Sequence, residues 1–398
     1  MKRLFITIAI IATTLAAMAA GRDTYTIIIS LDGLRWDYPE AFDAPFFDRM
    51  ARDGVKAVMS PSFPSKTFPN HYTLATGLRP DHHGIIANKF MVRDNGKVFS
   101  LSNREMRTDG RYFGGEPVWI TAQRQGVTCA TVYWVGSDVA IQGQHPTYWQ
   151  DYLGEKLTHA QRVDEVLRLL QLPEAVRPHL VMCYFEEPDA SGHACGPIVK
   201  QTRQAFERMD SLLAGMWQRL QALDIAPQIN FIVTGDHGMA WVDNMRVIRP
   251  SQVLNPEWTT LIAGDLPTNI YVKSPECVDS VMNALSRVDH IRAWRKADIP
   301  AYLGYGSNPN VGDVFVMPDV GWLVTDGEVE DNGSHGFDHT ASDMQVAFRA
   351  IGPDFKRGYF KPDRFPNVDI YPLLCYLLGV RPAPNDGYLT DLHDILVY

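Results

Sequence analysis

The sequence predicts an α/β protein whose central sheet is mostly parallel and carries helices on both faces. Strand and helix patterns alternate along the 398 residues, as is typical of a parallel sheet covered on both sides. Three strand-like apolar runs are each followed by a carboxylate, at Asp32, Asp189 and Asp236. Ligands of such folds bind beyond the carboxyl ends of the strands, so we expect these three side chains to share one crevice.

The predicted elements begin with a strand at Thr24–Leu31 and a helix near Thr67–Gly77. Another helix near Trp119–Gln125 leads to a strand at Val127–Tyr133. Later strands are expected at Leu180–Phe185, Asn230–Thr234 and Gln345–Ile351, and later helices at Glu155–Leu170, Ile198–Leu223 and Val368–Leu378. The helix from Ile198 has the strongest pattern, because its apolar residues recur at helical spacing: Phe206, Met209, Leu212, Leu213 and Met216.

We expect one domain over residues 21–398, because no Pro/Gly/Ser linker, repeat or low-complexity run marks a boundary. From about residue 243 to residue 329 the pattern is irregular and richer in Pro and Gly, with short strands predicted at Thr268–Val272 and Asp313–Met317. We interpret this part as an elaboration packed on the same core.

Residues 1–20 have the pattern of a secretory signal peptide. Lys2 and Arg3 precede an apolar run, and small residues at Ala16–Ala20 form a cleavage-site pattern. The alternative is an uncleaved anchor, but an apolar stretch of 17 residues interrupted by threonines is marginal for spanning a bilayer. We therefore expect a cleaved signal, a periplasmic or secreted protein, and no membrane span in the mature chain.

Charge and cysteine content exclude two classes of site. The formal net charge is −9, which argues against a surface that binds a nucleic-acid duplex, since that needs clustered Lys and Arg. It does not exclude an anionic substrate, because bound metal ions supply positive charge locally. Five cysteines are present without a CxxC pair, so a thiolate zinc site is not indicated.

The strand-end carboxylates have histidines close by. His193 follows Asp189 by four residues across a glycine, and His237 directly follows Asp236. One Asp after a strand would more simply cap a helix. Three of them with two histidines match the Asp and neutral His ligands that Zn²⁺ accepts, and the number of groups suggests two metal ions. His335, in a Gly-rich loop, is the best remaining ligand candidate, although alone it would be a surface histidine.

Thr67 is the candidate nucleophile. A threonine hydroxyl is a poor nucleophile unless a base or a metal activates it, and Zn²⁺ lowers the pKa of bound water from about 15.7 to about 7. Thr67 is also expected to begin a helix, whose free N–H groups favour anionic groups. The alternative is an ordinary Ser/Thr helix cap.

The chain resembles a single-domain bacterial member of the nucleotide pyrophosphatase/phosphodiesterase family, in the alkaline phosphatase superfamily. The resemblance extends through nearly the whole mature chain, and its motifs include Leu31-Asp32-Gly33, residues 63–84 (FPSKTFPNHYTLATGLRPDHHG), residues 84–88 (GIIAN), residues 133–138 (YWVGSD), residues 184–196 (YFEEPDASGHACG), residues 235–239 (GDHGM) and residues 335–338 (HGFD). An alkaline-phosphatase-like fold is implied.

The family resemblance implies a role for each candidate residue. One zinc ion is expected at Asp189, His193 and His335, and the other at Asp32, Asp236 and His237 with Thr67 as nucleophile and ligand. Asn88 is expected to donate to a phosphate oxygen. A nucleoside pocket is expected at Phe68, Trp134 and Tyr184, although Trp134 and Tyr184 could also be core aromatics.

The leading hypothesis is an exported hydrolase with two Zn²⁺ ions that acts on phosphodiester or phosphoanhydride bonds. It would convert nucleoside triphosphates, dinucleotides or nucleotide-sugars to nucleoside 5′-monophosphates through a nucleotidyl-threonine. Some relatives cleave choline phosphodiesters instead, and aromatic residues could bind that cation. An inactive relative that only binds ligands is disfavoured, because all seven expected metal-site residues are present. A sulfatase is disfavoured because the nucleophile position lacks a Cys-x-Pro-x-Arg motif.

Overall fold

The computed structural model of the protein describes residues 23–151, 156–264 and 266–397. The predicted signal peptide, residues 1–20, lies outside the described residues. In the ranges that are described, no helix is both long enough and apolar enough to cross a membrane.

The fold is organised around an eight-stranded sheet. Its strands are β1 (Tyr25–Leu31), β2 (Val55–Ser60), β3 (Cys129–Val132), β4 (Leu180–Phe185), β5 (Ile229–Thr234), β6 (Val346–Ile351), β7 (Tyr359–Phe360) and β8 (Phe365–Pro366). Their spatial order is β7-β2-β6-β5-β1-β4-β3, and β8 also pairs with β2. Every pairing is parallel except those of β6, which is antiparallel to both neighbours. The sheet is therefore mostly parallel, as the sequence predicts.

Helices cover both faces of this sheet. All residues of β1, β3, β4 and β5 are buried, which requires cover on both sides because successive side chains point to opposite faces. One packed group contains α1 (Pro45–Asp53), α4 (His159–Leu170), α5 (Asp189–Cys195) and α6 (Lys200–Leu220), and the other contains α2 (Thr67–Thr76), α3 (Val118–Arg124) and α8 (Ile370–Leu378). The helices predicted from the sequence end within a few residues of their predicted ends. α4 begins at His159, after a capping box at Thr158, and not at the predicted Glu155.

The part expected to be irregular contains a second, antiparallel sheet of four strands. These are Thr259–Ala263, Thr268–Val272, Val314–Pro318 and Ile291–Arg295 in spatial order, with helix α7 (Cys277–Leu285) packed against them. Only two of these strands are predicted from sequence. Three pairs of short strands lie outside both sheets in the described part of the chain: Lys89–Met91 with Val98–Ser100, Ala240–Trp241 with Gly333–Ser334, and Val247–Ile248 with Leu323–Val324.

A buried carboxylate fastens this second sheet to the rest of the fold. The side chain of Asp81 accepts hydrogen bonds from the backbone N–H groups of Gly306, Ser307 and Asn308, at 2.9, 2.8 and 3.1 Å. Phe315 and Met317 also belong to the main apolar core. Both contacts join the second sheet to the central part of the fold.

Candidate active site

The three strand-end carboxylates converge at one edge of the central sheet. β1 lies between β4 and β5, and Ser30 is level with both Tyr184 and Thr234. Backbone bonds then join the loops: Asp189 N–H donates to the Asp32 carbonyl at 2.9 Å, and Gly33 N–H donates to Asp236 Oδ1 at 3.1 Å. The three carboxylates therefore lie together at one edge of the sheet, as the sequence predicts.

Gly33 permits this convergence. Its φ is +67°, in the left-handed region that favours glycine. A Cβ at this position would lie 3.0 Å from both Cα and Cβ of Asp189. A side chain would therefore push the β4 loop away from the end of β1.

The predicted ligands form one continuous cluster. His237 Nε2 lies 3.0 Å from Asp236 Oδ2 and 3.4 Å from Asp32 Oδ1. Asp189 faces the other two histidines, with His193 Nε2 at 3.5 Å and His335 Nε2 at 3.7 Å. Two sets have potential ligand atoms within 4.8 Å of one another: Asp189, His193 and His335, and Asp32, Asp189 and His237. Asp189 belongs to both sets, whereas the resemblance assigns it to one.

The three candidate ligand histidines share one tautomer. Their Nδ1 atoms lie 2.8, 2.9 and 2.9 Å from the backbone carbonyl oxygens of Gly333, Ser65 and Gly238, for His193, His335 and His237 respectively. Because a carbonyl only accepts, each Nδ1 must carry the hydrogen and donate it. Each Nε2 is therefore left with a lone pair, the arrangement found in metal-binding histidines.

The electrostatics of the cluster are those expected of a site that binds a cation. Burial, followed by the charges of Asp236 and Asp189, raises the pKa of Asp32 well above its ordinary value, and burial and Asp189 likewise raise the pKa of Asp236. Burial and then His237 lower the pKa of His335. Buried oxygens of all three carboxylates have no hydrogen-bond partner among the described residues: Asp32 Oδ1, Asp189 Oδ1 and Asp236 Oδ2. Carboxylates and neutral imidazoles that lack partners fit a divalent metal site.

Thr67 lies directly beside this cluster. It is the first residue of α2, and its Oγ1 is 3.1 Å from His237 Nε2. The cap position is Lys66, which makes no side-chain cap bond, so Thr67 does not act as the helix cap. One turn later, His71 Nδ1 lies 2.9 Å from the Thr67 carbonyl oxygen, and burial lowers the pKa of His71 to about 3. A neutral histidine thus fixes the backbone of the candidate nucleophile.

The three predicted pocket aromatics line one small cavity that opens beside Thr67. Phe68, Trp134 and Tyr184 form part of its wall. Trp134 Nε1 donates to the His71 carbonyl at 3.1 Å. Tyr184 also contacts the ligand cluster, because its hydroxyl donates to Asp32 Oδ2 at 2.7 Å.

The same cavity contains residues that sequence reasoning did not assign. Tyr133 has a φ of +59°, an unusual value for a residue with a side chain, and it marks a functional or strained position. Arg107 and Asp138 also line the cavity, with Arg107 Nη2 3.5 Å from Asp138 Oδ2.

A buried arginine contacts two residues that form the wall of the aromatic cavity. Arg162 stacks over the Tyr133 ring at 4.7 Å and donates to the Tyr184 carbonyl at 2.8 Å. It also pairs with Glu186 at 2.7 Å. Burial alone would raise the pKa of Glu186, but His159 and Arg162 together lower it to about 2. Arg162 therefore connects two walls of the aromatic cavity through one rigid guanidinium.

A second, polar cavity contains the predicted phosphate-oxygen donor Asn88. Lys66 and Lys89 line it too, together with residues near the second sheet. Lys66 is only 7% exposed, and its ammonium group makes no hydrogen bond or ion pair with the residues that the structure describes. Because Lys66 precedes Thr67, the candidate nucleophile lies between an aromatic cavity and a polar one whose lining includes two lysines and the carboxylate of Asp326. Sequence reasoning did not assign Lys66, although its place beside the nucleophile is visible in the motif.

Comparison with known proteins gives the family. A sequence profile described as "Type I phosphodiesterase / nucleotide pyrophosphatase" matches residues 26–338. The chain belongs to this family. Relatives of the type I phosphodiesterase/nucleotide pyrophosphatase family include human ectonucleotide pyrophosphatase/phosphodiesterase family member 1, 33% identical over 93% of this chain and 42% of the relative. Venom phosphodiesterase of Naja atra is also 33% identical, over 93% of this chain and 46% of the relative. The chain spans less than half the length of these curated relatives.

Solved structures of this nucleotide pyrophosphatase family confirm the alkaline-phosphatase-like fold. Murine ectonucleotide pyrophosphatase/phosphodiesterase 5 superposes with a TM-score of 0.88 at 31% identity, covering 94% of this chain and 100% of that one. An inactive threonine-to-alanine variant of the murine protein, in complex with AMP, matches with the same values. The family resemblance inferred from the motifs is therefore confirmed.

Proposed function

We propose that the protein is an exported nucleotide pyrophosphatase/phosphodiesterase with two Zn²⁺ ions. Its substrates would be nucleoside triphosphates, dinucleotides or nucleotide-sugars, and its product a nucleoside 5′-monophosphate. The observation that carries the proposal is the position of Thr67, whose hydroxyl lies 3.1 Å from a candidate ligand histidine and also lines the aromatic cavity.

Seven residues would bind the two metal ions. One ion would be bound by Asp189, His193 and His335, and the other by Asp32, Asp236, His237 and Thr67. The donor set fits, because the histidines present Nε2 lone pairs and the buried carboxylates have oxygens without partners. When bound, the ions would supply Lewis acidity, which activates a hydroxyl and offsets the charge of a phosphate.

Thr67 would attack the phosphorus atom through Oγ1, forming a nucleotidyl-threonine while the bond to the leaving group breaks. Water then hydrolyses this ester from the vacated side, so two inversions give net retention at phosphorus. Asn88 would donate its side-chain N–H to a non-bridging phosphate oxygen. Lys66 and Lys89, in the same cavity as Asn88, would face an anionic leaving group such as pyrophosphate.

The aromatic cavity would bind the nucleoside. Stacking of a base on an aromatic side chain contributes about 1–3 kcal/mol and tolerates several bases. Phe68, Trp134 and Tyr184 lie around the cavity beside Thr67, and the AMP complex of the murine relative supports a nucleotide ligand. A choline phosphodiester is the second candidate substrate, since the carboxylate of Asp138 could attract the choline cation. Arg107 Nη2 lies 3.5 Å from that carboxylate and offsets its charge, which favours the nucleotide over the choline ester.

The decisive experiment compares Thr67→Ala with Thr67→Ser on zinc-loaded protein. We expect Thr67→Ala to abolish hydrolysis of p-nitrophenyl-TMP and Thr67→Ser to retain a measurable rate, because only the latter has a hydroxyl. Unchanged hydrolysis by Thr67→Ala would show that Thr67 is not the nucleophile. Comparing ATP with glycerophosphocholine tests the substrate class, and faster cleavage of the choline ester would favour the runner-up.

Metal content, domain organisation and export have their own tests. Elemental analysis of the purified protein should find two zinc ions per chain, and one ion would contradict the binuclear site. Limited proteolysis should leave residues 21–398 as one fragment. Intact mass of the protein recovered from outside the cytoplasm should correspond to cleavage near Ala19 or Ala20, and an uncleaved mass would support the membrane-anchor alternative.

A further inference from the structure

A third cavity lies at the same edge of the central sheet as the candidate active site. It opens beyond Ser60, where β2 ends, and Pro366, where β8 ends. Its polar lining comes from distant parts of the chain: Ser62, Arg79, Tyr302, His339, Thr340 and Arg364. The carboxyl ends of strands are where α/β folds bind ligands, so this position is favourable for a site.

This cavity is distinct from the catalytic cluster but shares its backbone. None of the seven candidate metal-site residues lines it. The segment from Ser62 leads along the chain to Thr67, and His339 follows the candidate ligand His335 by four residues. A molecule bound here would therefore contact the far side of two loops that position the active site.

The described residues that line the cavity include two arginines and no Asp or Glu. Arg79 and Arg364 are exposed and form no ion pair with any residue in the described ranges. The guanidinium of Arg79 rests on Gly304, where a Cβ would lie 2.9 Å from its Nη1. The absence of a side chain at Gly304 thus makes room for Arg79 at the cavity.

Tyr302, His339 and Thr340 form one side of the lining. His339 Nδ1 has no hydrogen-bond partner among the described residues and lies 3.8 Å from Asp338 Oδ1, beyond hydrogen-bond distance. Asp338 is already engaged, because it accepts hydrogen bonds from the hydroxyls of Tyr302 and Thr340, both at 2.7 Å. The Tyr302 and His339 rings are stacked with centroids 6.1 Å apart, and Phe63 adds an apolar wall.

We propose that this cavity binds a phosphate-bearing anion, either inorganic phosphate or a phosphomonoester, through Arg79 and Arg364. Guanidinium groups match the oxygens of a phosphate with paired, charge-assisted hydrogen bonds. The hydroxyls of Tyr302 and Thr340 already donate to Asp338, so the two arginines supply the hydrogen bonds to the anion. The ring stack and Phe63 offer an apolar surface to the organic part of an ester.

Equilibrium dialysis of the zinc-loaded protein with radiolabelled phosphate tests the proposal. The unmodified protein should bind a second phosphate besides any bound at the catalytic cluster. The double variant Arg79→Gln/Arg364→Gln should bind this second phosphate at least about tenfold more weakly, since a hydrogen bond to a charged group contributes about 1.5–3 kcal/mol. The matched control Arg357→Gln/Arg381→Gln replaces two other exposed arginines and should bind like the unmodified protein.

Phenyl phosphate as a second probe distinguishes the two sources of the anion. Weakened binding of phosphate alone would identify an inorganic-phosphate site, and weakened binding of phenyl phosphate alone would identify a phosphomonoester site. Hydrolysis of p-nitrophenyl-TMP should be unchanged in the double variant, which confirms its fold. The proposal would be overturned if the double variant bound as many phosphates per chain as the unmodified protein, with the same affinity.

Discussion

Removing the Tyr184 hydroxyl should weaken zinc binding while leaving nucleotide binding intact. The hydroxyl donates to Asp32 Oδ2 at 2.7 Å, and the ring of the same residue lines the aromatic cavity. Tyr184→Phe removes the first contact and keeps the second. The variant therefore separates the preparation of a metal ligand from the stacking of a base.

The expected magnitude follows from the burial of Asp32. This carboxylate is 2% exposed, so water cannot replace the lost donor, and its other oxygen already has no hydrogen-bond partner among the described residues. A hydrogen bond to a charged group contributes about 1.5–3 kcal/mol, and losing a partner of a metal ligand costs roughly 10- to 100-fold in metal affinity. We expect the zinc dissociation constant to rise by a factor in that range.

The assay measures hydrolysis of p-nitrophenyl-TMP in a series of chelator-buffered zinc concentrations. The activity curve of Tyr184→Phe should shift to higher zinc, with an unchanged KM at saturating zinc. Tyr133→Phe is the matched control, because that hydroxyl lies in the same cavity wall but accepts from Leu157 N–H, at 2.9 Å, away from the metal cluster. If the zinc curves of both variants coincide with that of the unmodified protein, the Tyr184–Asp32 bond does not prepare the ligand.

Three further predictions concern the cavity wall, pH and the glycine at the strand end. Arg162→Met should raise KM for nucleotides without a comparable change in kcat, because it removes the link between Tyr133 and Tyr184. KM and kcat of this variant are measured with a nucleotide and, for comparison, with a diester substrate that has no base. His83→Gln should reduce the loss of stability in acid, measured by urea unfolding at pH 7 and pH 4.5. Gly33→Ala should abolish hydrolysis, because its Cβ would collide with Asp189, whereas Gly215→Ala in α6 meets open space and should stabilise the fold by about 0.5–1 kcal/mol.

The sign of the His83 effect follows from its burial. Burial lowers the pKa of His83 to about 3, while an unfolded histidine has a pKa of about 6.5. Between these values the unfolded chain binds a proton that the folded chain does not, so stability falls as pH falls, by about 1.4 kcal/mol per pH unit. His290→Gln changes an exposed histidine and is the control. Equal acid sensitivity of His83→Gln and the unmodified protein would contradict this explanation.

The wall and glycine predictions have equally clear contrary outcomes. For Arg162→Met, equal changes on the base-containing and base-free substrates would indicate a general structural defect rather than a role in the nucleoside cavity. For Gly33→Ala, normal hydrolysis would mean that the loops of β1 and β4 tolerate separation. Neither result depends on the identity of the preferred nucleotide.

The central sheet and its functional edge could be predicted because their information is local. β1, β4 and β5 are apolar runs that end at polar residues, and the parallel topology brings their ends together. β2 is not predicted, since its alternately buried and half-buried residues, including Lys56, give a weaker pattern. The outer strands of the second sheet, Thr259–Ala263 and Ile291–Arg295, are mostly half-exposed, so their composition does not stand out from that of the surrounding loops.

At the site, residue identity predicted which Asp and His side chains cluster, but the residues that support this cluster depend on tertiary structure. His335 could be singled out only because an incomplete ligand set and a family motif pointed to it. The buried charges of Lys66 and Arg162 could not be anticipated, because lysine and arginine in a sequence are normally exposed. The double task of Tyr184 also depends on the register of β4 against β1, which places its hydroxyl at Asp32.

The hydrogen bonds of the three ligand histidines have an evolutionary consequence. Their partners are main-chain carbonyls of Gly333, Ser65 and Gly238, which exist whatever side chain the position carries. A change of side chain at Ser65 would alter the surroundings but leave its carbonyl in place. A point mutation at these positions therefore leaves the hydrogen-bond acceptors of the three Nδ1–H groups in place. The cavity walls around Thr67, in contrast, consist of side chains, which mutation can change. Such a division allows new substrate preferences to be selected without rebuilding the Asp/His cluster proposed to bind the metal ions.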